Sequence, residues 1–353
     1  MMSDKPEVKN LSRKDWAVPD LPERYLLDLE TVCNLKCPMC LFHGDPEEKK
    51  KHEHIIGKMT SENLIPLLDE MKLSQPVVAP SWWGEPLLIK NLKEQIREMK
   101  QRDIVISFNT NGLTLTEDIA RFLVEMQIDS IFFSFDAVTP ETLKKVRGVD
   151  KLDKIANNCE MMLRVRDEAK STMPRIGASY TIQRDNEHEV EEFIKIWTKK
   201  VDVVRVGYVF EDGGIWGIKL PEERIPCSML YHSLPIHFNG DASICCFDSY
   251  GYQIVGNVFK DGIKAVWHGE ALSQIRHYHE TGQWDMVPFC QNCNAWAGQI
   301  WEEEMTDELL IRRSVQMTYY NRLDRMTSWH EGIKGGHTAP DREGVRQRIA
   351  ENA

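Results

Sequence analysis

Cys33, Cys37 and Cys40 fall within eight residues and follow the spacing C-x3-C-x2-C, between Thr31 and Cys40. An odd set of thiols leaves one over, and so short a loop gives poor disulfide geometry, so a shared metal centre is the chemistry these residue types suit. A structural zinc site asks for four ligands, usually as two C-x2-4-C pairs, whereas an iron-sulfur cube takes one thiolate per iron. Three thiolates leave one iron open to a ligand from outside the protein. Zinc, or a chance cluster of buried cysteines, is the competing reading of these residues alone.

The elements that must position this loop read as an alternating α/β chain. A short apolar strand at 25–29 runs into the cysteines. Thr60 or Ser61 caps a helix whose Leu64, Leu67, Leu68 and Met71 form one apolar stripe, with Pro66 predicting a kink or a late start. Strands are expected at 77–82, 104–108, 131–135, 176–182 and 203–209, with helices at 90–100, from Thr116, at 140–147, 153–169 and 187–199. Six strands alternating with helices describe a partial parallel barrel, a (β/α)6 version of the TIM-like architecture. Right-handed crossovers bring all strand C-termini to one rim. On that rim would gather the cysteine loop, Trp83-Gly84-Glu85-Pro86, Asn109-Thr110-Asn111-Gly112, Ser134 with Asp136, Gln183-Arg184-Asp185, and residues 211–214.

A cysteine triplet of this spacing just after an apolar strand resembles the signature of the radical S-adenosylmethionine (SAM) superfamily. The resemblance implies a [4Fe-4S] cluster on Cys33, Cys37 and Cys40 whose open iron chelates SAM and splits it to a 5'-deoxyadenosyl radical. It also implies SAM contacts residue by residue. Gly84-Glu85-Pro86 resembles the family's Gly-Gly-Glu segment, with Trp83 in place of its first glycine, so that Glu85 would hold the SAM amino group. Ser134 and Asp136 match the polar end of the fourth strand, and Arg147 is placed like an arginine that pairs with the SAM carboxylate. Met39 and Ile182 would pack near adenine.

The later cysteines form a second pattern. Cys227, then Gly240 with four residues between it and Cys245, then Cys290 and Cys293 as C-x2-C, resemble the SPASM extension of the same family. Asn239 to Ala242 reads as a hairpin turn with arms at 236–238 and 243–245. No cysteine follows Cys293, so the resemblance is to the shortened form called twitch. It implies one auxiliary [4Fe-4S] cluster on Cys227, Cys245, Cys290 and Cys293. Cys246 is an alternative to Cys245, and a zinc ribbon is an alternative to the cluster. Cys159, alone in a helix, reads as a small buried hydrophobe. The resulting division is a leader at 1–20, a core at 21–210, an auxiliary-cluster domain at 211–300 and a helical tail at 301–353, helix-like from 301 to 326.

A formal net charge of −11 provides no basic field for a nucleic-acid backbone. With no apolar run long enough for a span and no signal peptide, a cytoplasmic protein is expected. The resemblance further implies an external one-electron reductant such as flavodoxin or ferredoxin. An auxiliary cluster with every iron capped would accept an electron, so a two-electron oxidation is expected. The cysteine spacing resembles that of the 2-deoxy-scyllo-inosamine dehydrogenase of butirosin biosynthesis, which implies a secondary alcohol on a sugar or aminocyclitol as substrate. Arg184 or Tyr208 would serve as the base. The alternative is a peptide-modifying enzyme, a maturase or epimerase of ribosomal peptides, although Cys33 lies too near the start for a preceding leader-recognition domain. A non-catalytic iron-sulfur or zinc protein ranks last, because it has no use for Glu85 and the other rim residues.

Overall fold

The computed structural model describes residues 8–9, 17–211, 213–299 and 301–325. Strand β1 is Val8–Lys9, and the core strands are β2 (Arg24–Leu27), β3 (Val77–Ala79), β4 (Val105–Thr110), β5 (Ser130–Ser134), β6 (Arg175–Ile182) and β7 (Val203–Tyr208). Each pair from β2 to β7 is parallel, so their C-terminal ends share one rim as the alternation requires. Between them run α1 (Pro46–Lys51), α2 (Ser61–Met71), α3 (Leu92–Gln101), α4 (Glu117–Glu125), α5 (Pro140–Arg147), α6 (Leu152–Glu168) and α7 (Val190–Trp197). Thr60, Thr116 and Thr139 accept hydrogen bonds from backbone N–H groups in the first turns of α2, α4 and α5, so each start is fixed by a cap. Helix α2 starts at Ser61 and runs on through Pro66, so the late start does not occur. Leu64, Leu67, Leu68 and Met71 are all buried, and that packing offsets the one hydrogen bond proline removes.

Beyond the core, β8 (Phe210–Glu211) and β9 (Gly214–Ile215) form a small ribbon. Strand β10 (Ser233–Ile236) then lies parallel to β2, followed by antiparallel β11 (Asp241–Ser243) and β12 (Ile254–Asn257). The auxiliary module therefore continues the sheet of the core. The expected hairpin is present with its turn shifted toward the N-terminus: Ile236 already pairs with Ala242, so Asp241 and Ala242 are strand and not turn. His237 N–H donates to Asp241 O at 2.9 Å and closes the turn early.

The tail departs from expectation. Residues read as helical form three antiparallel strands, β13 (Trp301–Met305), β14 (Leu309–Arg313) and β15 (Met317–Arg322). Strand β15 pairs with the free edge of β7, and β1 borders β13 at the far end. The physical reason is pairing: a charged segment without a single apolar face gains a backbone ladder at an edge that would otherwise be open. Its β-prone Tyr319, Tyr320 and Thr318 suit that place. The rest of the expected tail, 326–353, lies outside the described residues, as does most of the expected leader. Among the described residues no helix is long and apolar enough to cross a membrane.

Candidate active site

The cysteine loop is held by backbone contacts to sulfur and oxygen. Leu35 N–H donates to Cys33 Sγ at 3.4 Å and His43 N–H to Cys40 Sγ at 3.3 Å. Gly44 closes the loop in a way the sequence reading overlooked. Its N–H donates to Cys40 O at 2.9 Å, and a Cβ there would sit 2.6 to 2.8 Å from the carbonyl oxygens of Cys40, Pro38 and Cys37. Burial raises the Cys33 thiol and takes Cys37 up to about 11, with the Arg147 guanidinium opposing.

Gly84 packs equally close to the loop before the cysteines, since a Cβ there would lie 2.8 Å from Val32 O and 2.9 Å from Glu30 O. Glu85 is 2% exposed, and both its oxygens are engaged. Oε1 accepts from the Thr110 hydroxyl at 2.6 Å and Leu87 N–H at 3.1 Å, and Oε2 accepts from Asn111 N–H at 2.7 Å. Burial pushes this carboxyl above its usual range, and the three donors and Arg147 counter it. Thr110 and Asn111 are thus part of the site. The polar run at the end of the third expected strand was the signal for them. Asn111 Nδ2 also donates to Asn34 Oδ1 at 2.8 Å and ties β4 to the cysteine loop. A Glu85→Gln variant turns an amide N–H toward one of these donors, and should lower stability by about 1–3 kcal/mol in a thermal or urea melt. An unchanged midpoint would contradict the three-donor arrangement.

A cavity of about 600 Å³ opens on the rim and reaches into the barrel lumen. Cys33, Cys37, Met39, Cys40, Gly84, Glu85, Ser134, Arg147 and Tyr208 all line it, so most of the expected site residues are brought together. Met39 Sδ accepts from Gln183 Nε2 at 3.0 Å. Pro86 opens the single turn that Glu85 caps. Pro86, Asp136, Ile182 and Arg184 do not line the cavity. Asp136 is fully buried and is spent on positioning: Nε and Nη2 of Arg147 lie 2.7 Å from its Oδ2, and Thr181 N–H donates to its Oδ1 at 2.6 Å. Ile182 is buried at the end of β6, and its neighbour Thr181 lines the cavity instead. Arg184 is 67% exposed and points away. Glu211 pairs with it at 2.7 Å and Trp216 lies under its guanidinium at 5.3 Å, which holds it on the surface.

The later cysteines lie near one another, and one of them, Cys246, borders the same cavity. Cys227 stands two residues before a short helix at Met229–His232, Cys245 and Cys246 follow β11, and Cys290 and Cys293 share a turn in which Cys293 N–H donates to Cys290 O at 3.2 Å. Burial raises the thiols of Cys227, Cys245, Cys290 and Cys293, with mutual proximity adding for Cys227, Cys245 and Cys290. Arg224 donates to Cys290 O at 2.6 Å and Gln291 O at 3.0 Å beside them. Cys246 lines the cavity. Trp82, one residue before the rim segment, donates its indole N–H to Cys246 O at 2.9 Å and so bridges the two cysteine regions. Among the described residues no three His, Cys, Asp or Glu side chains meet at the spacing of a single metal ion. All-sulfur donor sets suit iron-sulfur clusters, whose thiolates are spread over several irons.

Comparison with known proteins agrees with this geometry. Residues 30–196 match the radical SAM superfamily and residues 227–294 the iron-sulfur cluster-binding domain SPASM. The chain is a radical SAM/SPASM enzyme, with the binding of SAM and iron-sulfur clusters that those two domains imply. It is 23% identical to a tungsten-containing aldehyde ferredoxin oxidoreductase cofactor-modifying protein of Pyrococcus furiosus, over 72% of each chain. It also matches a probable GTP 3',8-cyclase of Saccharolobus islandicus at 29% identity over 48% of this chain, spanning about half of that protein's length (51%). Among solved structures, Streptococcus suis SuiB bound to S-adenosylmethionine agrees with a TM-score of 0.61 at 14% identity, covering 80% of this chain and 74% of the other. SuiB has also been solved bound to its precursor peptide SuiA. BtrN in complex with AdoMet and 2-DOIA agrees with a TM-score of 0.50 at 16% identity, covering 78% of this chain and 93% of the other. These structural likenesses describe a shared fold.

Proposed function

We propose that this enzyme abstracts hydrogen from a substrate held in the cavity between the two cysteine regions, and that the substrate leaves oxidised by two electrons. The observation that carries the reading is the cavity itself, bordered by Cys33, Cys37 and Cys40 on one side and by Cys246, Phe247 and Ala295 on the other. When bound, a [4Fe-4S] cluster with one open iron supplies the electron that splits SAM to a 5'-deoxyadenosyl radical, and a second [4Fe-4S] cluster accepts an electron.

The protein's own residues hold and orient. Cys33, Cys37 and Cys40 carry the first cluster, and Cys227, Cys290 and Cys293, with Cys245 or Cys246, carry the second. Arg147, aimed by buried Asp136, presents a cation to the SAM carboxylate. Glu85 presents a carboxylate edge to the amino group while its donors fix its orientation. Tyr208, half-buried at the rim, is the remaining candidate to take a substrate proton.

For the substrate, peptide modification is better supported than oxidation of an aminocyclitol. The fold agrees with peptide-binding SuiB at a TM-score of 0.61, against 0.50 for BtrN. The C-terminal strands add Trp301, Met317 and Tyr319 to the cavity's lining. Anaerobically reconstituted enzyme incubated with SAM and a reductant should release 5'-deoxyadenosine. Deuterium transfer into that product from labelled peptides, and not from labelled aminocyclitols, is the expected result. Transfer from the aminocyclitols alone would reverse the substrate assignment.

A further inference from the structure

The cavity's lining carries more positive charge than cofactor binding uses. Its charged residues are Arg24, Glu85, Arg147 and Arg205. Glu85 carries three donors and, in the reading above, faces the cofactor's amino group, and Arg147 is matched by Asp136. That leaves Arg24, at the first position of β2, and Arg205, in the middle of β7, facing an aqueous cavity. Among the described residues, no carboxylate forms an ion pair with Arg205.

Arg205 is nonetheless firmly placed. Its guanidinium lies 4.6 Å from the centroid of the Phe132 ring, and Nη2 donates to Asn109 Oδ1 at 2.8 Å. Both partners are neutral, so the ring and the amide fix the fork without cancelling its charge. Alternation along β7 puts Arg205 and Gly207 on the lumen face. Across the ladder, Tyr319 and Met317 stand opposite them on β15 and line the same cavity. Arg205 sits three residues before Tyr208, level through Ser179 with Ser134 and bonded to Asn109, so it stands beside the strand ends that carry the rim residues. A preorganised, unneutralised guanidinium in the wall of a cavity is what bidentate recognition of an oxyanion requires.

We propose that Arg205, supported by Asn109 and Phe132, is a specificity-determining anchor for a substrate that carries a carboxylate or phosphate group, with that group held against the β7 wall of the cavity. Arg24 adds to the field from β2. The inference deepens the functional reading above and rests on its placing substrate in this cavity. The chemistry shared by the two groups is an oxyanion on a small substrate or on a peptide side chain or terminus.

The test is calorimetric titration of the reconstituted holoenzyme with inorganic phosphate and, separately, with acetate, at fixed ionic strength. Saturable binding of at least one anion is expected, and the tighter of the two identifies the group. Arg205→Gln should weaken it at least about tenfold, the loss of charge-assisted hydrogen bonds. Arg205→Lys should retain part of it. Asn109→Asp, nearly isosteric, supplies an internal carboxylate to the guanidinium and should also weaken it about tenfold. This second variant keeps the test decisive if Arg205→Gln does not fold. Absence of saturable binding by the unaltered enzyme overturns the proposal, as does equal affinity in Asn109→Asp. The parent reading fails separately: anion binding without release of 5'-deoxyadenosine would remove the radical assignment and leave the anchor, whereas radical formation without anion binding would do the reverse.

Discussion

Cys37→Ala is expected to release no 5'-deoxyadenosine from SAM, while its iron content after anaerobic reconstitution falls from about eight to about four per chain. Cys37 is the buried member of the first triplet, flanked by Cys33 and Cys40 on the cavity wall. Alanine leaves two thiolates on that loop, too few to cap three irons. The auxiliary cysteines belong to other elements and should still load, which is why half of the iron remains. A variant that kept cleaving SAM, or that lost all of its iron with its fold intact by circular dichroism, would contradict the division of the cysteines into two centres.

The second large effect is expected in the opposite module. A Cys227→Ala and Cys290→Ala double variant should still produce 5'-deoxyadenosine with SAM and reductant, yet form no oxidised product from a substrate the unaltered enzyme turns over. Both residues lie outside the first triplet, on the loop before Met229–His232 and on the C-x2-C turn. The measurement is a comparison of the two products in one reaction by mass spectrometry. Continued oxidation at the unaltered rate would remove the electron-accepting role from this region. Joint loss of both products with the fold intact would show that the two centres do not act separately.

Residues of strong local character were legible in the sequence. Strands β2 to β7 and their helices follow from apolar periodicity and threonine caps, and α5 keeps its expected bounds because Thr139, Pro140 and Gly148 mark both ends. The two cysteine patterns were legible because metal chemistry fixes their spacing. What depends on distant partners was not. The charged segment from Trp301 reads as helix until an open edge on β7, almost a hundred residues earlier, is there to pair with it. Asp136 resembled a cofactor ligand because sequence cannot show that Arg147 would consume it. Arg184 resembled a base because nothing local reveals Glu211 and Trp216 drawing it outward. Arg205 drew no notice, since a single arginine in an apolar strand carries no motif. Its meaning comes from Phe132, Asn109 and Tyr319, which belong to three other strands.

The border of β7 with β15 divides the lumen between two distant parts of the chain. One side of the wall belongs to strands whose loops carry the first cysteine cluster and the Glu85 segment. The other is supplied by a separate antiparallel ribbon that contributes Trp301, Met317 and Tyr319 and none of the cluster cysteines. Substitutions on that ribbon can remodel what the enzyme accepts while the apparatus on the opposite wall stays untouched. Such an arrangement lets one reactive engine be fitted to new molecules through changes on a single wall.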